Sequence, residues 1–167
     1  TAYAGEKALR DVPIASQKGY TITYTGMPLT QADGDVYEAI MHMARGQPEG
    51  NRVLFSRYSL LRLMGRSTGS TDHDRLLQSL KCMSASAVQI DTVGENGKRR
   101  LYWGSLLPSG AFDEESGLFS VQINRDLAKF FERDFTLVEW EERRALARKP
   151  LARWLHGYYS SHARPHN

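Results

Sequence analysis

Cysteine is almost missing from this chain. The single thiol, Cys82, can form no internal disulfide and cannot supply a four-cysteine zinc site. No apolar run approaches the roughly 18 residues that would cross a bilayer, and no secretory leader opens the sequence. A cytoplasmic location is expected. No glycine-rich phosphate loop is present either, because Gly65 and Gly69 lack the lysine pattern of a nucleoside-triphosphate binder. The five histidines, His42, His73, His156, His162 and His166, have spacings that fit no metal set, so no metal and no cofactor are expected. Asp113, Glu114 and Glu115 are neighbours in a loop, and adjacency alone does not make a catalytic carboxylate pair. There is no internal repeat and no low-complexity segment. The first residue is Thr1 rather than Met, which reads as a piece of a longer protein.

What is present is ordinary material for a core. Of 167 residues, 41% are hydrophobic and 10% aromatic, enough for one domain, or one domain and part of another. The net charge is +3, but it is segregated. Residues 1–51 carry four basic and six acidic side chains, and residues 52–107 carry nine and four. Residues 108–144 carry five and nine, and residues 145–167 carry four and none. Two basic blocks flank an acidic one, as expected of a surface that faces a polyanion. Chance clustering on solvated faces is the plain alternative.

Hydrophobic period sets the expected elements. Residues 1–19 show no period and read as an extension. Tyr20–Tyr24 alternates like a strand, ended by Gly26 and Pro28. Thr30 can cap a helix with Asp33 and Asp35 at its positive end and Val36, Ile40 and Met43 inward. Val53–Phe55 is a short strand. Ser56 caps a second helix from Arg57 to Met64. After the turn Gly65–Gly69, Ser70 or Thr71 caps a third helix, with Leu76, Leu77, Leu80 and Met83 as its buried stripe. Ala87–Val93 and Lys98–Trp103 form a hairpin around Asn96-Gly97, a strong turn signal. Gly117–Asn124 is another strand, and Asn124 can cap a helix holding Leu127, Phe130 and Phe131. Thr136 opens a helical stretch that Pro150 breaks or restarts.

The order strand, helix, short strand, helix, turn, helix, hairpin is that of an α+β winged helix. Residues 20–135 would form it, with a C-terminal helical extension at 136–167. The third helix would present His73, Arg75, Gln78, Ser79 and Lys81 outward. Glutamine suits adenine edges and arginine suits guanine edges in a major groove. Ser70 and Thr71, at the helix start, could hold a phosphate. Arg57, Arg66, Ser67 and Thr68 lie on the preceding helix and turn. Lys98, Arg99 and Arg100 follow the hairpin tip, where three adjacent cations suit a phosphate backbone. Asp72 and Asp74 oppose this, since carboxylates repel phosphate. Cys82 reads as a small packed residue, with no base partner that would activate it.

Several blocks resemble the TrfA-type plasmid replication initiators. They are Tyr24–Asp33, Phe55–Gly65, Leu76–Leu80, Ala87–Ile90, Trp103–Leu107 and, most specifically, Lys149–His162. The resemblance covers roughly residues 20 to 163. It implies a non-enzymatic protein that binds double-stranded DNA at repeated origin sites (iterons), forms a homodimer, and engages host DnaA and the DnaB helicase. It also implies two winged helices, of which residues 136–167 would be a linker and the incomplete start of the second. By the same analogy, Phe119–Ile123 is a candidate dimer strand.

Two other readings stay open. One is a dimerisation or transcription-repressor module without autonomous specific DNA binding. The weaker one is a tyrosine nickase, suggested by Tyr158 and Tyr159 near His156 and His162. That chemistry needs two histidines flanking an apolar residue on a strand, and no such triplet occurs. Trp154, Leu155, Tyr158 and Tyr159 more simply form a packing face.

Overall fold

The computed structural model describes residues 7–17, 20–47, 51–67, 69–94 and 96–127. The expected elements at Phe130, Phe131, Thr136 and Lys149–His162 lie outside these residues. The chain runs β1 (Leu9–Gln17), β2 (Tyr20–Gly26), α1 (Gln31–Arg45), β3 (Arg52–Ser56), α2 (Arg57–Leu63), α3 (Ser70–Ser84), β4 (Ala87–Val93), β5 (Arg99–Gly104), β6 (Ser109–Asp113) and β7 (Leu118–Gln122). All strand pairs are antiparallel, in two sheets ordered β1-β2-β4-β5 and β3-β7-β6.

Helix ends follow the local chemistry. Thr30 caps α1, and Asp33, three residues on, returns a carboxylate to the Thr30 N–H at 2.7 Å, which closes a capping box. Ser56 caps α2 by accepting from the Ser59 N–H at 3.0 Å. The helix then ends on Gly65 at φ +68°, with Arg66 N donating to Leu61 O and Gly65 N to Arg62 O. This Schellman arrangement favours glycine at the left-handed position. The expected cap of α3 is corrected: Gly69 occupies the N-cap, without a side-chain bond, and the helix starts at Ser70.

Two apolar clusters hold the elements. The larger joins Val36, Ala39 and Ile40 of α1, Leu60 of α2, Leu76, Leu80 and Met83 of α3, and the inward residues of β3 and β7. The smaller lies under the four-stranded sheet and contains Ile22, Tyr24, Val88, Ile90 and Leu127. Leu29 and Leu106 touch both clusters.

The identity of the wing is also corrected. The hairpin after α3, β4–β5, pairs with β2 and belongs to the four-stranded sheet. The hairpin that pairs with β3, the strand between α1 and α2, is β6–β7. Side-chain matching explains the partition. Val53 and Phe55 face Val121 and Phe119 across β3 and β7, the two rings stacked 5.5 Å apart. Ile22 and Tyr24 face Ile90 and Val88 across β2 and β4. Swapping either hairpin would break both apolar matches.

Two further expectations change. Residues 9–17 of the supposed extension form β1, which takes its partner from β2. Phe119–Ile123 cannot offer a dimer edge, because β7 is the central strand of its sheet and Phe119, Val121 and Ile123 are buried.

Leu60 is fully buried where the three helices and β3 meet. Leu60→Ala should therefore cost about 2–5 kcal/mol of unfolding free energy, read by urea denaturation.

Candidate nucleic-acid interface

The phase of α3 decides which side chains can meet a ligand. Leu76, Ser79, Leu80 and Met83 are buried on one face; Cys82, also buried, lies a turn after Gln78 on the other face, its sulfur 3.8 Å from the Gln78 amide. Thr71, Asp74, Arg75, Gln78 and Lys81 are exposed or half-exposed and share the opposite face. Arg75, Gln78, Lys81 and Thr71 thus sit where expected. Ser79 does not. Its hydroxyl donates to Asp33 Oδ1 at 2.5 Å, in the interior. The outward position expected for this serine is corrected: a buried carboxylate on α1 claims it.

His73 is half-buried rather than outward. Its ring packs edge-on against Phe112 and Phe119, with centroids 6.2 and 6.3 Å away. That contact seats the first turns of α3 beside the wing. Arg66 serves the fold rather than a ligand. Its Nη2 meets Asp35 Oδ2 at 3.1 Å, and Asp35 is buried. Burial pushes the Arg66 guanidinium below its ordinary pKa, partly offset by nearby Asp72. The Ser67 hydroxyl is bonded to Asp72, and Arg75 stands 3.9 Å from the same carboxylate. Arg57 is half-buried at the start of α2. Thr68 and the side chain of Ser70 lie outside the described residues.

The Lys98–Arg100 triplet is exposed, and it belongs to the four-stranded sheet rather than to the sheet that carries the wing. β4 follows α3 after Ala85 and Ser86 and leads to the tip that precedes Lys98. Arg99 forks onto Asp91, its Nε 2.8 and 2.9 Å from the two carboxylate oxygens. The bond holds the Asp91 carboxyl below its usual range and raises the Arg99 guanidinium. Lys98 and Arg100 flank this pair as further exposed cations.

The wing beside α3 carries the opposite charge. Its tip is Asp113, Glu114 and Glu115, all exposed. Asp113 accepts from the Ser116 hydroxyl at 2.5 Å and from the Ser116 and Glu115 N–H groups at 3.2 Å, which holds its carboxyl below the usual range. This tip repels phosphate instead of gripping it.

Residues 16–152 match the family described as Initiator Replication protein, WH1. The chain belongs to that family. It is similar to the plasmid replication initiator protein TrfA of Escherichia coli, 28% identical over 154 residues. That match takes in 89% of this chain and 39% of TrfA, so the chain spans well under half of that relative's length. In fold it is similar to the crystal structure of RctB domains 2-3, with a TM-score of 0.67 and 13% identity, covering 96% of this chain and 66% of that one. A selenomethionine derivative of RctB domains 2 and 3 gives a TM-score of 0.68 and 14% identity, covering 95% and 68%. At those identities the likeness concerns the fold.

For an initiator domain of this kind, the winged-helix frame is complete: α1, β3, α2, α3 and the β6–β7 wing. Among the described residues no group of three or more histidine, cysteine or carboxylate side chains could hold a metal, and no helix is long and apolar enough to cross a membrane. Sequence reasoning passes over Leu101 and Trp103. Trp103 is 71% exposed. The signal is there, since strand alternation puts residues 99, 101 and 103 on the face opposite Tyr102.

Ser79 and Gln78 are sequence neighbours with different work. Ser79→Ala should cost about 1–3 kcal/mol in a denaturant melt, because the Asp33 carboxylate loses a buried donor. It should leave DNA affinity unchanged in an anisotropy titration.

Proposed function

We propose that this domain is the first winged helix of a cytoplasmic plasmid replication initiator, that it binds repeated double-stranded DNA sites of an origin, and that it self-associates. The observation that carries the reading is the outer face of α3, where Thr71, Arg75, Gln78 and Lys81 line one side of a 15-residue helix. A helix of that width enters a major groove. Gln78 and Arg75 suit base edges, and Lys81 suits a phosphate. Membership of the initiator family gives the partner its class. The reading is non-enzymatic and needs no cofactor. Origin melting and engagement of host DnaA and DnaB belong, in this proposal, to the longer protein.

A second reading has its own support. The acidic wing tip, and the place of Lys98–Arg100 on the hairpin of the other sheet, both weaken the case for backbone contact beside α3. On that reading the domain self-associates and leaves base readout to another domain.

A salt series on direct-repeat and scrambled duplexes separates the two. DNA binding through α3 requires affinity that falls steeply with salt. Lys81→Ala should weaken binding to both duplexes and lower the slope of log K against log salt by about 1. Gln78→Ala should cost about 1–3 kcal/mol on the repeat and less on the scrambled duplex. No binding to either duplex at low salt would leave only the second reading.

A further inference from the structure

One side chain on the outer face of α3 works against its neighbours. Asp74 is exposed among Thr71, Arg75 and Gln78. Spacings of three and four residues put Thr71, Asp74 and Gln78 in one line along the helix. A carboxylate there repels the phosphates of any duplex laid on this face. The fold gains nothing in return. Asp72 occupies the first turn, where a negative charge favours the helix dipole, and it bonds the Ser67 hydroxyl. Asp74 is the fifth residue of the helix, past the turn in which the dipole is felt. It has no hydrogen bond or ion pair with another described residue. Aspartate is also a poor helix former.

The base edges of a major groove offer such a group a partner, and not equally. Guanine presents two acceptors, N7 and O6, and thymine presents O4 and a methyl group. Adenine sets its N6 amino group beside the N7 acceptor. Cytosine presents its N4 amino group with no acceptor next to it on the same base. An ionised carboxylate can only accept. It therefore gains most at cytosine, is partly opposed at adenine, and is repelled at guanine and thymine.

We propose that Asp74 is a base selector, accepting from the N4 amino group of a cytosine in the major groove. This rests on the DNA reading of α3 put forward above and names a base that it selects. The position suits the task. The N-terminal residues of a recognition helix are those that meet base edges, and Asp74, a short side chain, lies in that half of α3. Lys81 is seven residues, about 10 Å of helix, further on and has the reach for a phosphate. Arg75, the next residue, has a side chain 71% exposed and meets Asp72 only loosely, at 3.9 Å. Its fork suits the O6 and N7 of the guanine paired with that cytosine. The two neighbours, opposite in charge, then read the two halves of one C·G pair. Repulsion is part of the device. The exposed Asp113, Glu114 and Glu115 of the wing also deny attraction to phosphate. A duplex without the right base therefore gains little here. Specificity is a difference of affinities, and an unmatched carboxylate widens it by penalising the wrong sequences.

Selection from a pool of duplexes with a randomised core, run on the whole chain and on Asp74→Ala and Asp74→Asn, tests this. Anisotropy titrations then compare two selected duplexes that differ by one C·G to T·A exchange. The wild type should favour C·G over T·A at one position by at least about fivefold. Asp74→Ala should flatten that position alone, and should bind the exchanged duplex more tightly than the wild type does. Asp74→Asn should lose cytosine there and gain adenine, because an amide pairs with adenine N6 and N7. A side chain that only supports the helix, or a solvated surface charge, predicts the same change on every duplex. That uniform change overturns the assignment and leaves DNA binding by α3 standing. So does a cytosine preference that survives in either variant, or a wild-type profile with no cytosine position. A wild type that binds no duplex in the pool, or enriches no sequence, overturns base readout by α3 and the role of Asp74 together.

Discussion

A single buried carboxylate governs the arrangement of the helices. Asp33 is 1% exposed and sits in the first turn of α1. A charge so placed is costly unless it is bonded. Here Oδ2 accepts from the Thr30 N–H and hydroxyl, both at 2.7 Å, and Oδ1 accepts from Ser79. The positive end of the α1 dipole adds to these. One arm of this knot closes the start of α1. The other reaches 46 residues along the chain and ties α3 to α1. With Leu76, Leu80 and Met83 packed in the core, Thr71, Arg75, Gln78 and Lys81 face out, and the Ser79–Asp33 bond adds a polar link to a rotation that the apolar stripe already fixes. The Asp35–Arg66 pair, 3.1 Å long, pins the turn before α3 to the same helix.

The two sheets divide the remaining labour. β3, β6 and β7 brace the three helices through Phe55, Phe119 and Val121, and this places an acidic hairpin tip beside the start of α3. The four-stranded sheet stands on its own cluster and holds the basic hairpin β4–β5. Positive and negative tips therefore sit on different sheets. A duplex lying on α3 would meet repulsion at the wing tip and at Asp74, and attraction from Arg75 and Lys81.

Much of the local structure is legible in the sequence. Capping residues mark the starts of α1 and α2, and Asn96-Gly97 marks the β4–β5 turn, because these signals act within a few residues. The α3 stripe is legible from its period, apart from Ser79. A serine between apolar neighbours shows nothing of a carboxylate 46 positions away. His73 misleads in the same manner: only Phe112 and Phe119, brought in by the wing, draw it half inside. β1 and β6 escape a reading by period because Leu9–Gln17 and Ser109–Asp113 have weak alternation, and their partners rather than their own residues make them strands.

From its residues alone, then, this protein is assigned winged-helix elements, a segregated charge pattern and kinship with plasmid replication initiators. Each of these rests on order along the chain or on short-range spacing. Tertiary structure alone decided which hairpin is the wing and which polar residues are spent on the interior. Those outcomes depend on cross-strand matching and on buried bonds between distant residues. No local period encodes such pairings; they exist only once the chain has closed on itself.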